Sequence, residues 1–137
     1  MLYHVPSPAD AVRELRRVTR PGGRVVVGLN GAGHMREFRA AITAAGGRQL
    51  PDERHSGRER VGLDDGAELL RTVFGSVTRH DFEGQLLAPP AAVAAYVRST
   101  PRADDLEALV TCVLSLLFPN DSAPSPITTH SGILVCA

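Results

Sequence analysis

The stretch that most limits how this chain can fold runs from Asp10 to Leu29: a helical-period segment, then Arg20-Pro21-Gly22-Gly23-Arg24, then Val25-Val26-Val27-Gly28-Leu29. Between Ala9 and Val18, Ala11, Leu15 and Val18 recur at helical spacing with Val12 beside them. Asp10, Arg13, Glu14 and Arg17 fall on the other side. Acidic residues come early and arginines late, the order that complements a helix dipole. Pro21 cannot continue a helix and Gly22-Gly23 can reach positive φ, so the spacing predicts a helix over Asp10 to Thr19 and a sharp return. A strand then follows over Val25 to Leu29. Its unbroken apolar run is the pattern of a parallel strand covered by helices on both faces. Upstream, Met1-Leu2-Tyr3-His4-Val5-Pro6 reads as the end of a buried strand entering a loop, and Ser7 is placed to start a turn or cap.

Asn30-Gly31-Ala32-Gly33 follows the strand as a loop at its carboxyl end, the edge where open α/β sheets place ligand sites. A helix is expected over His34 to Ala45, with Met35, Phe38 and Ile42 on one face, and a polar connection over Arg48 to Arg60. The next helix spans Leu63 to Phe74 with Asp64 or Asp65 as its cap. Ser76 to Phe82 alternates as a strand of mixed exposure near a sheet edge, and Gln85-Leu86-Leu87 forms a separate short extended piece after Glu83-Gly84. Pro90 begins a helix through Val93, Tyr96 and Val97. Asp104 to Phe118 is the most apolar helix, either core or a lid over a cleft. Ile127 to Ala137 is a terminal strand interrupted at Ser131-Gly132.

At 137 residues the chain fits one domain, and 43% apolar residues with only 4% aromatics make its core aliphatic. Lys plus Arg and Asp plus Glu both number 15, so no basic field draws nucleic acid. Cys112 and Cys136 sit in apolar runs and read as buried free thiols. His55, His80 and His130 lie at unmatched intervals, which argues against a metal site. The longest apolar run, Val110 to Phe118, is short of a membrane span, and no signal pattern opens the chain. These features predict no membrane partner and a cytoplasmic location.

The ordered series from Met1-Leu2-Tyr3-His4-Val5-Pro6 through Arg17-Val18, Arg20-Pro21-Gly22-Gly23 and the valine strand resembles the second half of a class I S-adenosylmethionine-dependent methyltransferase of the small-molecule type. Asn30-Gly31 with His34-Met35, Leu63 with Asp65-Gly66-Ala67 and Leu69-Leu70, Asp81-Phe82, Ala95-Tyr96-Val97 and the final Ser131-Gly132-Ile133-Leu134-Val135-Cys136 extend the resemblance over nearly the whole chain. It implies an α/β fold: a partial Rossmann-like methyltransferase fold of about four strands, the fourth to seventh of the family sheet, with covering helices and the three N-terminal strands missing. The last strand of that family is antiparallel to the rest. Residues 1–137 would be the C-terminal portion of a methyltransferase domain, with 84–120 a helical substrate lid.

The same resemblance implies a transferase that moves a methyl group from S-adenosyl-L-methionine to a small-molecule acceptor, incomplete as this chain because the family's glycine-rich cofactor loop is absent. His4 is the candidate catalytic residue, as a base or orienting group, with a structural hydrogen bond as the competing role. Met1, Leu2 and Tyr3 are the candidate cofactor-binding residues, against simple packing. Asn30, His34 and Tyr96 are the candidate substrate-binding residues. Asn30 competes as a helix cap and Tyr96 as a core residue, while Arg98 is either solvated or a holder of an anionic group. The alternative function is a noncatalytic half-domain that packs against a partner, so the expected partners are a methyl acceptor, a homo-oligomer copy or a complementing chain.

Overall fold

The computed structural model describes residues 2, 5–47, 61–99, 103–120 and 124–137. Eight elements follow one another: α1 (Pro8–Val18), β1 (Val25–Asn30), α2 (Arg36–Ala44), α3 (Leu63–Arg71), β2 (Val77–Ala88), α4 (Pro90–Arg98), α5 (Leu106–Leu117) and β3 (Ser125–Cys136). The Ser7 hydroxyl caps α1 by accepting from the Asp10 N–H at 3.3 Å, and Gly22 takes the left-handed φ of 74° that the return into β1 requires. Neither Asp64 nor Asp65 caps α3. Gly62 holds that position without a side-chain bond, and Asp64 is drawn instead to Arg79.

The three strands form one sheet in the order β1-β3-β2. β3 runs antiparallel to β1, with Val25 opposite Cys136 and Asn30 opposite Ser131. Ser76 and Ala137 exchange reciprocal N–H to carbonyl bonds at 3.1 Å, which sets the β2 side antiparallel as well. The terminal strand is therefore antiparallel as expected, but the partial Rossmann-like fold of about four strands, fourth to seventh, is overturned. Among the described residues the sheet has three strands, and no neighbouring pair is parallel. Leu2, expected at the end of a further strand, lies outside any strand and is buried in the core.

The valine run of β1 also has a different cause from the one its continuity suggested. Val27 and Leu29 are buried while Val26 is 62% exposed, so β1 alternates between a covered and an open face. Two glycines expected to interrupt strands instead lie inside them. β2 passes through Gly84, where an added Cβ would stand 3.2 Å from the Thr129 hydroxyl oxygen. β3 passes through Gly132, where a Cβ would meet Leu63 Cδ2 at 2.5 Å and the His80 carbonyl oxygen at 3.1 Å. Close approach, and not a chain break, accounts for both.

The chain divides into two compact units. The first comprises Met1–His34, Asp52–Glu83 and His130–Ala137; its core joins Val12 of α1 and Leu63, Ala67 and Leu70 of α3 to Val27, Leu29, Leu134 and Cys136 of the sheet. The second comprises Met35–Pro51 and Gly84–Thr129; there Phe38, Ile42, Val93, Val97, Leu109, Val110 and Val113 from α2, α4 and α5 pack together with Ala88 and Ile127. Asp105 caps α5 by accepting from the Ala108 N–H at 2.9 Å. In the second unit Glu37 of α2 is tied to β3. The Thr128 hydroxyl donates to it at 2.6 Å and the Thr128 N–H at 2.9 Å.

Replacing Gly132 with Ala should cost about 1–3 kcal/mol, because Leu63 and the His80 backbone must both move. Gly28→Ala, where a Cβ meets nothing within 4 Å, should change stability by no more than about 0.5 kcal/mol. Urea titrations of the two variants check the contrast. A second expectation concerns acid. The Thr128 hydroxyl, helped by the Thr128 N–H and Arg36, outweighs desolvation and pulls the Glu37 carboxyl from an ordinary 4.5 down to about 2. A depressed folded value stabilises above the unfolded one and is lost as pH falls through the folded one. The stability difference between wild type and Glu37→Gln should thus be full at pH 6 and shrink between pH 4.5 and about 2, as measured by urea unfolding at each pH.

Candidate functional site

Alternation along the strands of the first unit sorts its side chains onto two faces. Val27, Leu29, Leu134 and Cys136 meet α1 and α3 on the covered face. Val26, Gly28 and Asn30 of β1, Ser131, Ile133 and Val135 of β3, and Thr78, His80 and Phe82 of β2 line the other face, which none of the described helices of this unit covers. On that open face Phe82 is 56% exposed, and a shallow depression lies between Gly28, Asn30, Phe82, Ser131 and Ile133. Its floor is apolar. Its polar edge is the Ser131 hydroxyl donating to Asn30 Oδ1 at 3.2 Å.

A polar cluster closes the end of the covered face. His130 Nε2 lies 2.9 Å from Asp81 Oδ1, with Glu83 Oε1 at 3.9 Å. Arg79 holds Asp81 with two bonds of 2.7 Å and also reaches Asp64. Arg79 first, and His130 second, keep the Asp81 carboxyl well below the usual carboxylate range. The His130 N–H donates to His34 Nδ1 at 3.3 Å, and the Gly31 N–H donates to the His130 carbonyl at 3.0 Å. The imidazole packs directly over Gly31, leaving no room for a side chain there. Arg79 pairs with both Asp64 and Asp81, and His130 bonds to Asp81, so the polar groups of the cluster are held by one another. This is the arrangement of a fastening that fixes the loop after β1.

The sequence-derived site residues separate accordingly. Met1, Tyr3 and His4, expected to bind cofactor and to act in catalysis, lie outside the described residues. Leu2 is a core residue of the first unit. Asn30 and His34 both contact the His130-Ser131 segment, Asn30 through its amide oxygen and His34 through its ring nitrogen. Asn30 caps no helix. The residue before α2 is Met35, at a left-handed φ of 54°. Tyr96 belongs to the second unit, 41% exposed and edge-on to Phe38 at 5.1 Å. Arg98, left open between solvent and an anion, is held by Glu107 through two bonds of 2.7 Å. Cys112 and Cys136 are free thiols; Cys136 is buried as expected, which pushes its thiol up, whereas Cys112 is half-buried.

The Asp81–His130–Arg79 cluster was not foreseen. Its one signal is the charge alternation of β2, which sets Arg79, Asp81 and Glu83 on a single face; nothing local assigns His130 to them. Among the described residues no group of His, Cys, Asp or Glu could hold a metal ion. None of their helices is long and apolar enough to cross a membrane.

The sequence matches no family model and no curated protein significantly. The resemblance to class I methyltransferases is therefore overturned together with what it implied: the transferase activity, the S-adenosyl-L-methionine site and the Rossmann-like label. The physical reason lies in the sheet. A cofactor crevice of that type needs neighbouring parallel strands whose carboxyl ends lie side by side, followed by a glycine-rich loop and helix. Here each neighbouring pair runs in opposite directions. The polar groups that do converge bind one another.

What the first unit offers in place of a crevice is a strand edge. Among the described residues β1 is the outer strand, paired on its β3 side. The Gly31 bond to His130 continues the β1–β3 register, so Val25, Val27 and Leu29 turn their backbone groups to β3. Val26, Gly28 and Asn30 then point theirs outward. Among the described residues no backbone group bonds to them.

Gly31→Ala should displace the His130 ring and break its contact with Asp81, lowering stability by about 1–3 kcal/mol. Thermal melts check the loss, and a shift of the His130 ring resonances in a proton–nitrogen NMR spectrum, with Leu70 and Val113 methyls unmoved, checks its cause.

Proposed function

We propose that this chain is an association module that accepts an extended polypeptide segment along the outer edge of β1. The observation that carries the reading is the composition of that edge. β1 reads Val-Val-Val-Gly-Leu-Asn, with neither a charge nor a proline, and its outward backbone groups sit beside an exposed Val26. The opposite edge, β2, carries Arg79, His80, Asp81 and Glu83 within a few residues. Charge along an edge strand is the common means of keeping other strands away. One edge of this sheet is guarded in that way and the other is not.

The chemistry of such a partner follows from the strand. Main-chain N–H and C=O groups would supply the attraction, and small or β-branched side chains would fit over Gly28 and beside Val26. The open face beside β1, with Phe82, Ile133 and Val135, gives that segment an apolar surface to continue onto.

Amide exchange tests the reading with a capped Val/Thr strand peptide carrying lysine ends as the probe, at low protein concentration. Exchange at Val26, Gly28 and Asn30 should slow by about tenfold or more, while Val25, Val27 and Leu29, already bonded to β3, should not change. Gly28→Pro, which removes an outward donor and spares the β3 ladder, should abolish the effect. Equal exchange with and without the peptide would overturn the reading.

A further inference from the structure

We infer that the segment received by β1 is β1 of a second copy of this chain, paired antiparallel across a two-fold axis beside Val27. The inference rests on the association reading and gives the partner its identity. It begins from the geometry of a strand that is its own complement. Across a two-fold axis perpendicular to the sheet, residues directly opposite one another must lie on the same face. Outward-pointing backbone groups must also meet outward-pointing ones. Only registers that pair even-numbered residues with even-numbered ones satisfy both conditions. Of these, the register centred on Val27 pairs the whole of Arg24 to Asn30 within itself. Centring on Val26 leaves Asn30 beyond the pairing, and centring on Gly28 leaves Arg24 beyond it.

The side chains agree with the Val27-centred register. Val26, 62% exposed, stands opposite Gly28, above which the structure leaves open space. Val25 stands opposite Leu29 on the covered side, and Val27 opposite its own copy. The one charge at the rim, Arg24, meets Asn30 and not a second Arg24, so no like charges face each other along the seam. The chain's net charge of zero adds no general repulsion between copies. The result is a continuous antiparallel sheet through both copies, with the helices α1 and α3 of each on one side. A strand pairing of this kind covers less than the ~800 Å² per partner of a standard interface, so the dimer should dissociate on dilution.

Two measurements on the full chain test this. Sedimentation velocity should show a monomer–dimer equilibrium that moves with protein concentration, and Gly28→Pro should hold the chain monomeric. In the second, Val27→Cys and Val26→Cys are oxidised beside wild type, which carries Cys112 and Cys136. In the inferred register Val27 and its copy form a non-hydrogen-bonded pair with Cα atoms about 4.5 Å apart, within disulfide reach, while Val26 faces Gly28. Val27→Cys should give about tenfold more disulfide-linked dimer than Val26→Cys or wild type. Should Val27→Cys fail to fold, judged by circular dichroism, Val26→Cys with Gly28→Cys in one chain serves, since each would face the other across the seam.

A chain monomeric at every concentration, or Val26→Cys linking as fully as Val27→Cys, would overturn the inference. If the chain is monomeric while the Val/Thr peptide still protects the Val26, Gly28 and Asn30 amides, the second copy is the wrong partner and the association reading stands. If the peptide also gives no protection, both fall.

Discussion

The central position of β3 is the constraint on which the rest of the first unit depends. β3 comes last in the chain yet lies between β1 and β2, so it alone satisfies the inner backbone groups of both. Its alternating N–H and C=O groups face β1 at Cys136 and Leu134 and face β2 at Ala137. Without it, β1 and β2 have no shared neighbour, and the apolar residues they turn toward α1 and α3 have no continuous surface on which to pack. Leu134 and Cys136, both fully buried, carry that surface across the middle of the sheet. A sheet closed by its last strand also has high contact order, since pairing Val25 with Cys136 joins residues more than 100 positions apart; ordering that loop costs entropy before any ladder bond repays it.

The close contacts around β3 explain why glycines occur where they do. Gly132 allows Leu63 of α3 to sit directly on the strand, and Gly66 allows α3 to approach Leu29 of β1. Gly31 makes space for the His130 ring, which Asp81 then holds from β2. Helix, loop and both outer strands are thus registered against β3 from the covered side. The open side receives no equivalent: Gly28 has nothing above it, and Phe82 and Val26 stand exposed. Among the described residues the asymmetry belongs to the layering of this unit, with α1 and α3 on one face of the sheet and no helix on the other.

Much of the local structure was legible in the residues. α1 forms where its helical spacing placed it, its start at Ser7 and its end before Pro21 and Gly22, with Val12, Ala11 and Leu15 toward the core, although Val18, expected on the same stripe, is 61% exposed. The strand over Val25 to Leu29 and the apolar helix α5 formed where their patterns placed them. Strand neighbours were not legible, because a helix, a Pro-Gly-Gly return and a valine strand specify one local unit that either a parallel or an antiparallel sheet can accommodate. The methyltransferase resemblance rested on such units in series, and a series of local units does not fix which strand lies beside which. The interruptions expected at Gly84 and Gly132 are absent for a related reason: only the position of Thr129 and Leu63 in space shows that these glycines are places of close approach. Of the site residues, Asn30, expected in a loop, ends β1, and His34, expected to begin a helix, lies before α2; their partners His130 and Ser131 come from almost the far end of the chain. Asp64 shows the limit of cap rules: its carboxylate found stronger compensation in the Arg79 guanidinium than in a helix N-terminus.

The two edges of the sheet carry opposite solutions to one problem. An unpaired strand edge is a row of donors and acceptors that any extended chain can join, and a protein that leaves it bare risks indiscriminate pairing. On β2 the risk is met by Arg79, Asp81 and Glu83, whose charges also serve the His130 cluster, so the guard and the fastening are the same residues. On β1 there is no such guard, although Val26 is exposed and a side chain at Gly28 would meet nothing. A bare edge is tolerable when its pairing is selective. In the pairing inferred for β1, selectivity would come from the open space over Gly28, which suits a branched side chain opposite it, and from the covered side, which favours apolar residues at the alternate positions. Under that inference β1 itself would meet both demands, with Val26 for the gap and Val25, Val27 and Leu29 for the covered side.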